Sequence, residues 1–282
     1  MERKRISIVG VGLIGGSLAL QLHEKKISSR LIGVEANEFH AQKALELELV
    51  DEILPLDEAI NNSDIIILAI PVDKMVILLP EILNKVSNQV VIDLGSTKSQ
   101  LVKSVKNHPK RGRYVAAHPM WGTEYSGPEA AVKGAFEKVA VVICNATDSD
   151  KDALEWAKNM FGKIGMRMLD MDADAHDLHA AYVSHIAHIT SFALANTVLE
   201  KEKEEEAIFE MASAGFESTV RLAKSNPSMW VPIFMQNKEN VLDVLNEHIT
   251  QLRKFKSCLE KENYSYLLEL IEDANKIRGI LK

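Results

Sequence analysis

The sequence feature that most restricts what this chain can fold into is Gly10-Val11-Gly12-Leu13-Ile14-Gly15. It follows the apolar run Ile6-Ser7-Ile8-Val9 without a break and leads into Gly16-Ser17-Leu18-Ala19-Leu20-Gln21-Leu22, which reads as a helix. A strand that passes into a helix through such a turn opens a βαβ unit, the setting in which GxGxxG carries meaning. Gly10 permits the tight turn, Gly12 lets backbone approach a pyrophosphate, and Gly15 lets helix and strand pack closely. The helix N-terminus offers free N–H groups and partial positive charge to phosphates. Gly10, Gly12, Leu13, Ile14 and Gly15 are therefore expected to bind a dinucleotide. A second strand, Leu31-Ile32-Gly33-Val34, ends at Glu35, about 20 residues beyond Gly15, where a carboxylate meets a ribose 2′-hydroxyl. Ala36 and Asn37 follow, with no arginine for a 2′-phosphate, so NAD is favoured over NADP.

The strand–helix rhythm continues. A helix is expected over 38–47 and an apolar strand over 64–70, stopped by Pro71. The turn after it, with Ala69 and Pro71, should lie near the cofactor. A helix over 73–86 contains Pro80, which could interrupt it. A strand over 89–94 precedes the polar turn Gly95-Ser96-Thr97-Lys98, in which Ser96 or Thr97 either caps a helix or serves chemistry. A strand over 139–143, a helix over 152–162 and a strand over 166–169 complete an α/β domain, residues 1–171, with a Rossmann-like doubly wound sheet. Ligands of such sheets bind beyond the C-terminal strand ends, where Glu35, Pro71, Ser96 and His118 all fall.

His118 lies in Ala117-His118-Pro119-Met120-Trp121-Gly122, after the strand-like Tyr114-Val115-Ala116. Pro119 pushes His118 toward extended geometry, and Gly122 frees the chain to turn. At the mouth of a strand, His118 is the candidate base. From Ala173 the pattern is helical to the end, giving an all-α second domain over 172–282. Its first helix, Ala173 to about Leu199, carries His176, His179, Ser184, His185 and His188. Ser184 and His188, four residues apart, share a face and are expected to line a pocket. No HExxH or cysteine cluster accompanies the histidines, and no metal is expected. Arg221 offers a fork-shaped donor to an anionic substrate. Lys201 to Glu206 reads as a solvated charge run, and Leu242, Leu245, Ile249 and Leu252 as core or dimer surface.

The 282 residues carry 33 basic and 40 acidic side chains, a net charge of -7 with no basic stripe, which argues against nucleic-acid binding. An anionic small molecule stays compatible, because a few cations in a cleft oppose the net charge locally. The apolar run Ile65 to Ile70 is too short to span a bilayer, so no membrane role is expected. Two isolated cysteines, Cys144 and Cys258, fit a reducing compartment, and the N-terminus enters a strand with no secretory pattern. A cytoplasmic protein is expected.

These segments together resemble the prephenate dehydrogenase family. The likeness rests on residues 10–17, Asp93-Leu94-Gly95-Ser96-Thr97-Lys98, His118-Pro119-Met120-Trp121-Gly122, His176-Asp177 with Ser184-His185-Ile186-Ala187-His188, and Thr219-Val220-Arg221-Leu222-Ala223 before Asn226-Pro227-Ser228-Met229-Trp230. The first motif is common to many dehydrogenases; the others, in this order, are specific. The resemblance implies NAD-dependent oxidative decarboxylation of prephenate, with His118 as base and Ser96 as its partner or the partner of the substrate hydroxyl. It implies that Ser184, His188 and Arg221 line the substrate pocket, Arg221 on a carboxylate, and that Glu124 gates it. Glu217 stands where many relatives carry an arginine. A homodimer through the helical half is implied as well. The alternatives are arogenate dehydrogenase, another two-domain hydroxyacid dehydrogenase, and a non-catalytic NAD-sensing protein, which would need neither His118 nor Arg221.

Overall fold

The computed structural model describes residues 2–205 and 208–280. Its centre is an eight-stranded sheet: β1 Lys4–Val9, β2 Ser28–Val34, β3 Glu52–Ile53, β4 Ile65–Leu68, β5 Val90–Asp93, β6 Tyr114–Pro119, β7 Ala140–Cys144 and β8 Arg167–Met171, in the order β3-β2-β1-β4-β5-β6-β7-β8. Strands β1 to β6 pair in parallel, β7 runs antiparallel to β6, and β8 is parallel to β7. The strand order reverses between β1 and β4, so the crevice expected to bind a ligand opens at their C-terminal ends.

Strand β4 shows why this sheet must be covered twice. Its four residues, Ile-Ile-Ile-Leu, are all buried. Alternation sends Ile65 and Ile67 into a core with Leu18, Leu22, Phe136 and Phe161, and Ile66 and Leu68 into a second core with Leu79, Ile82 and Leu101. The helices that close these layers are α1 Leu13–Glu24, α2 Glu38–Glu46, α3 Leu56–Asn62, α4 Val72–Lys85, α5 Ser99–Ser104 and α6 Lys151–Ile164. Pro80 does not break α4. The lost backbone bond is outweighed by an apolar face of Val72, Met75, Leu79, Ile82 and Leu83, all buried. The short elements β3 and α3 have no counterpart among the elements expected from sequence.

Beyond β8 the described elements are helical. The single helix expected from Ala173 is α7 Ala173–Ala180, a π turn Ala181–His185 and α8 Ile186–Glu202. The π turn inserts an extra residue into the helical register, as such turns often do at functional sites. Of the expected charge run, Glu206 lies outside the described residues. There follow α9 Ala214–Val220, a 3₁₀ turn Arg221–Lys224 and α10 Pro227–Gln236. By compactness the chain divides into Met1–Asn237 and Lys238–Lys282. The second unit is a helical hairpin of α11 Lys238–Glu260 and α12 Tyr264–Asn275, whose N-terminus is capped by the Asn263 side chain. The change from mixed elements to helices alone comes after Met171, before that division. No helix among the described residues is long and apolar enough to cross a membrane.

Candidate active site

Two adjoining cavities occupy the C-terminal edge of the sheet. The first, about 350 Å³, is lined by Gly10, Gly12, Leu13, Ile14, Glu35, Ala69 and Pro71, all expected cofactor residues. Gly15 is absent from its wall. A Cβ on Gly15 would stand 2.0 Å from the Gly10 carbonyl oxygen, so this glycine serves the packing of α1 on β1. Gly10 has φ +91°, and a Cβ there would meet the Ala69 carbonyl oxygen at 2.6 Å. Around Gly12 the space is open: a Cβ there would have Gly127 N, 4.0 Å away, as its nearest neighbour. This is the open cradle that a pyrophosphate over exposed backbone requires. The Glu35 carboxylate accepts from Val11 N and from Asn37 N, both at 3.1 Å, and so ties the end of β2 to the glycine turn. Sequence reasoning missed the opposite wall, formed by Tyr125, Ser126 and Gly127 after β6 and by Asn226, Ser228 and Met229 at the start of α10.

The second cavity, about 280 Å³, is lined by His118, Ser96, Ser184, His188, Trp121 and Trp230, among others. It shares Leu13, Ile14, Ser96 and Met229 with the first, so whatever fills one abuts the other. His118 enters from the end of β6, paired with Val142 of β7. His188 donates from Nδ1 to the Ser184 carbonyl oxygen at 3.1 Å and stacks on Trp230, centroids 3.4 Å apart, which leaves Nε2 as its free nitrogen. Neither Ser96 nor Thr97 caps α5. The amides of Lys98 and Ser99 donate instead to the Asp177 carboxylate, at 2.8 and 2.9 Å, while Thr97 Oγ1 donates to Gln236. Arg221 lies in the 3₁₀ turn after α9 rather than within a helix, and its guanidinium donates to Glu124 Oε2 at 2.7 Å. Their neighbours Leu222 and Thr123 line the second cavity; Arg221 and Glu124 themselves bind each other.

Behind His118 is a buried polar network to which sequence reasoning assigned no role. Lys98, fully buried, forms an ion pair with Asp93 and donates to the Ala117 carbonyl oxygen at 2.7 Å, fixing the peptide that precedes His118. Asp93 also accepts from Tyr114 OH at 2.6 Å. His118 Nδ1 lies 2.8 Å from His176 Nε2, and His176 Nδ1 lies 2.8 Å from Asp177 Oδ1. Burial, then the neighbouring His176, Lys98 and His185, hold the His118 pKa well below the ordinary histidine value, so the ring is neutral at pH 7, with a lone pair free to accept a proton. Burial pushes the Cys144 thiol up to about 12, which leaves it inert. Among the described residues no group of three or more His, Cys, Asp or Glu side chains is arranged to hold a metal. A hollow of about 480 Å³ at the opposite edge of the sheet is lined by two carboxylates, Asp64 and Asp152, ion-paired to its Arg5 and Arg113.

The site thus pairs a dinucleotide cradle with a neutral histidine in an adjoining cavity. Comparison with known proteins bears on both halves. Residues 18–170 match the family model described as prephenate dehydrogenase, nucleotide-binding domain, and residues 172–273 match prephenate dehydrogenase, dimerization domain. The chain is 29% identical over 277 residues to a prephenate dehydrogenase of Bacillus subtilis (strain 168), covering 97% of this chain and 75% of that protein. It is 29% identical over 282 residues to a cyclohexadienyl dehydrogenase of Zymomonas mobilis, covering 99% and 96%. The crystal structure of prephenate dehydrogenase from A. aeolicus in complex with hydroxyphenyl propionate and NAD+ superposes with a TM-score of 0.91, at 29% identity, covering 100% of this chain and 99% of that one. On the two family models that together span most of its length, this chain belongs to the prephenate dehydrogenase family.

Proposed function

We propose that this chain catalyses the NAD-dependent oxidative decarboxylation of prephenate to 4-hydroxyphenylpyruvate, a step of tyrosine biosynthesis, with His118 as the base. The observation that carries the residue assignment is the seam between the two cavities, where Leu13, Ile14, Ser96 and Met229 border both. A reacting carbon beside His118 is thereby next to a ligand seated on the glycine turn, and positioning is the protein's main contribution to hydride transfer. Gly10, Gly12, Leu13, Ile14, Ala69 and Pro71 hold the NAD, with Gly15 packing behind them and Glu35 on the ribose. When bound, NAD accepts the hydride that leaves the carbinol carbon of prephenate.

The chain's own residues handle the proton and the carboxylates. His118 accepts the hydroxyl proton as the carbinol becomes a carbonyl. Loss of carbon dioxide from the ring then delivers its electron pair to that carbonyl, and the resulting phenolate oxygen takes the proton back from His118. Protons and charge therefore balance without a further reactant. Ser96, which borders both cavities, holds the hydroxyl or the imidazole. Ser184 and His188 line the pocket, and Arg221 exchanges its Glu124 partner for a substrate carboxylate. In this reading residues 1–171 form the NAD-binding domain and residues 172–282 the substrate and dimerisation domain. A homodimer through the helical half is supported by the match to the dimerization-domain model and by Leu252, Leu259, Tyr264 and Leu268, all exposed. A cytoplasmic location fits two buried cysteines free of any disulfide.

The test is NADH absorbance on mixing the protein with NAD and prephenate, repeated with arogenate and with NADP. NADH formation from prephenate supports the assignment. Turnover of arogenate alone transfers the same machinery to the amino-acid analogue, and no turnover of either substrate overturns the proposal.

A further inference from the structure

The Asp177 carboxylate reaches His118 through one intervening ring, and with that ring neutral the carboxylate sets the direction of each hydrogen bond in the chain. Asp177 is 1% exposed and His176 2% exposed. Burial alone would raise the Asp177 pKa; hydrogen bonds from His176 and from the amides of Ser99 and Lys98 outweigh it and hold the carboxyl below its ordinary value. Asp177 is therefore ionised and only accepts. His176 Nδ1 must then carry a proton to donate to it. In a neutral imidazole that makes His176 Nε2 an acceptor. His118 Nδ1, 2.8 Å away, must in turn be the N–H that donates. One ring nitrogen of His118 is left without a proton: Nε2.

We infer that His176 and Asp177 are positioning residues that hold His118 in its Nδ1–H form, so that Nε2 offers its lone pair to the substrate hydroxyl. The inference rests on His118 being the base of the proposed reaction. The chain also gives the base a sink for charge. When Nε2 takes the hydroxyl proton, His118 becomes an imidazolium whose Nδ1–H still donates to His176, while the ionised Asp177 keeps its hydrogen bond from His176 Nδ1 and stabilises the charge through that ring. The positive charge on His118 then faces a buried carboxylate across one ring until the phenolate oxygen takes the Nε2 proton back. No oxidant or additional proton donor is required. The other titratable groups that face the pair are Lys98, before α5, and His185, in the π turn. Lys98 is neutralised by Asp93, and burial holds His185 down at about 4, so neither replaces Asp177 as the partner.

A long-range proton–nitrogen NMR correlation of the full-length, ¹⁵N-histidine-labelled protein reads the tautomer directly, with the His118 signals assigned by their loss in His118→Asn. The expected result is protonated Nδ1 and bare Nε2 on His118 at neutral pH. In His176→Leu, His118 should lose that preference and kcat should fall about 10²-fold, the lower end of the range for a general base, with KM for prephenate and NAD held within about twofold. His176→Gln, whose side-chain oxygen reaches the position of His176 Nε2 and can accept from His118 Nδ1, should recover at least about tenfold of that loss, a rescue that a purely structural role for the ring would not give. A His118 protonated at Nε2 in the native protein overturns the inference, as does a folded His176→Leu variant with unchanged tautomer and kcat. Absence of any turnover by the native protein would instead remove the base assignment; the tautomer measurement does not depend on activity and reports on the hydrogen-bond chain separately.

Discussion

Replacing Asp93 with asparagine tests the network behind His118 where it is most exposed to error. Asp93 ends β5 with no solvent exposure, and its carboxylate accepts from Lys98 Nζ, from Gly95 N at 2.8 Å and from Tyr114 OH at 2.6 Å. Asparagine preserves shape and one acceptor oxygen. Tyr114 can rotate its hydroxyl to accept from the new amide, so the main loss is the negative charge opposite a fully buried ammonium. Removing one partner of a buried pair costs about 3 to 5 kcal/mol. That is a large share of the roughly 5 to 15 kcal/mol that holds a typical domain folded. With a urea dependence of about 2 to 3 kcal/mol/M, the midpoint should fall by about 1 to 2.5 M. Equilibrium urea denaturation, followed by circular dichroism and tryptophan fluorescence, measures the shift. The double variant Asp93→Asn with Lys98→Met removes both charges and should recover to within about 2 kcal/mol of native. A single variant within about 1 kcal/mol of native would refute the reasoning, as would a double variant no more stable than the single one.

Three other perturbations bear on the site. The partly exposed Arg221–Glu124 pair contributes no more than about 1 kcal/mol, so Glu124→Gln should free Arg221 and lower KM for prephenate by up to about fivefold, whereas an increase in KM would exclude competition between Glu124 and substrate. Glu35→Ala should weaken NAD binding by about tenfold and narrow the preference over NADP, one ribose hydrogen bond being lost to a charged acceptor; equal use of the two nucleotides by the native protein would contradict the role given to Glu35. Burial holds His185 at about 4 in the fold, whereas unfolded it titrates near 6.5. The folded state thus prefers the neutral ring. His185 costs no stability above about pH 6.5, and stability is lost as pH falls from 6.5 toward 4, by roughly 2 to 3 kcal/mol. Urea midpoints at about pH 7 and 4.5 should therefore differ less in His185→Gln than in the native protein, and identical slopes would refute the assignment.

What was legible in the sequence is what has a local physical cause. The turn at Gly10 to Gly15 needs missing side chains, and β4 needs four apolar residues because both of its faces are covered. His118 stood out through Pro119 and through sharing a strand-end pattern with Glu35, Pro71 and Ser96, and all four line the two adjoining cavities at one sheet edge. The two-residue β3 and the seven-residue α3 are too short to show a period. The antiparallel pairing of β7 is not written in its own residues, which are equally apolar in either direction. The π turn at Ala181–His185 shifts register within a pattern that reads as one uninterrupted helix. The histidine–histidine–aspartate chain depends on a contact between residues 58 apart, which no window of sequence contains. A weaker clue was available: Asp93 is a charge closing the otherwise apolar strand Val90–Asp93, with the cation Lys98 five residues on, and a charge in such a position is buried only when paired.

The most direct measurement is the turnover number of His118→Asn at saturating prephenate and NAD, beside that of the native protein under the same conditions. The expected result is a kcat lowered by about 10²- to 10⁴-fold with NAD affinity retained, because the substrate and cofactor still meet but the hydroxyl proton has no acceptor. A variant whose kcat stayed within about threefold of native would contradict the assignment of His118 as base, since the proton would then be leaving by another route.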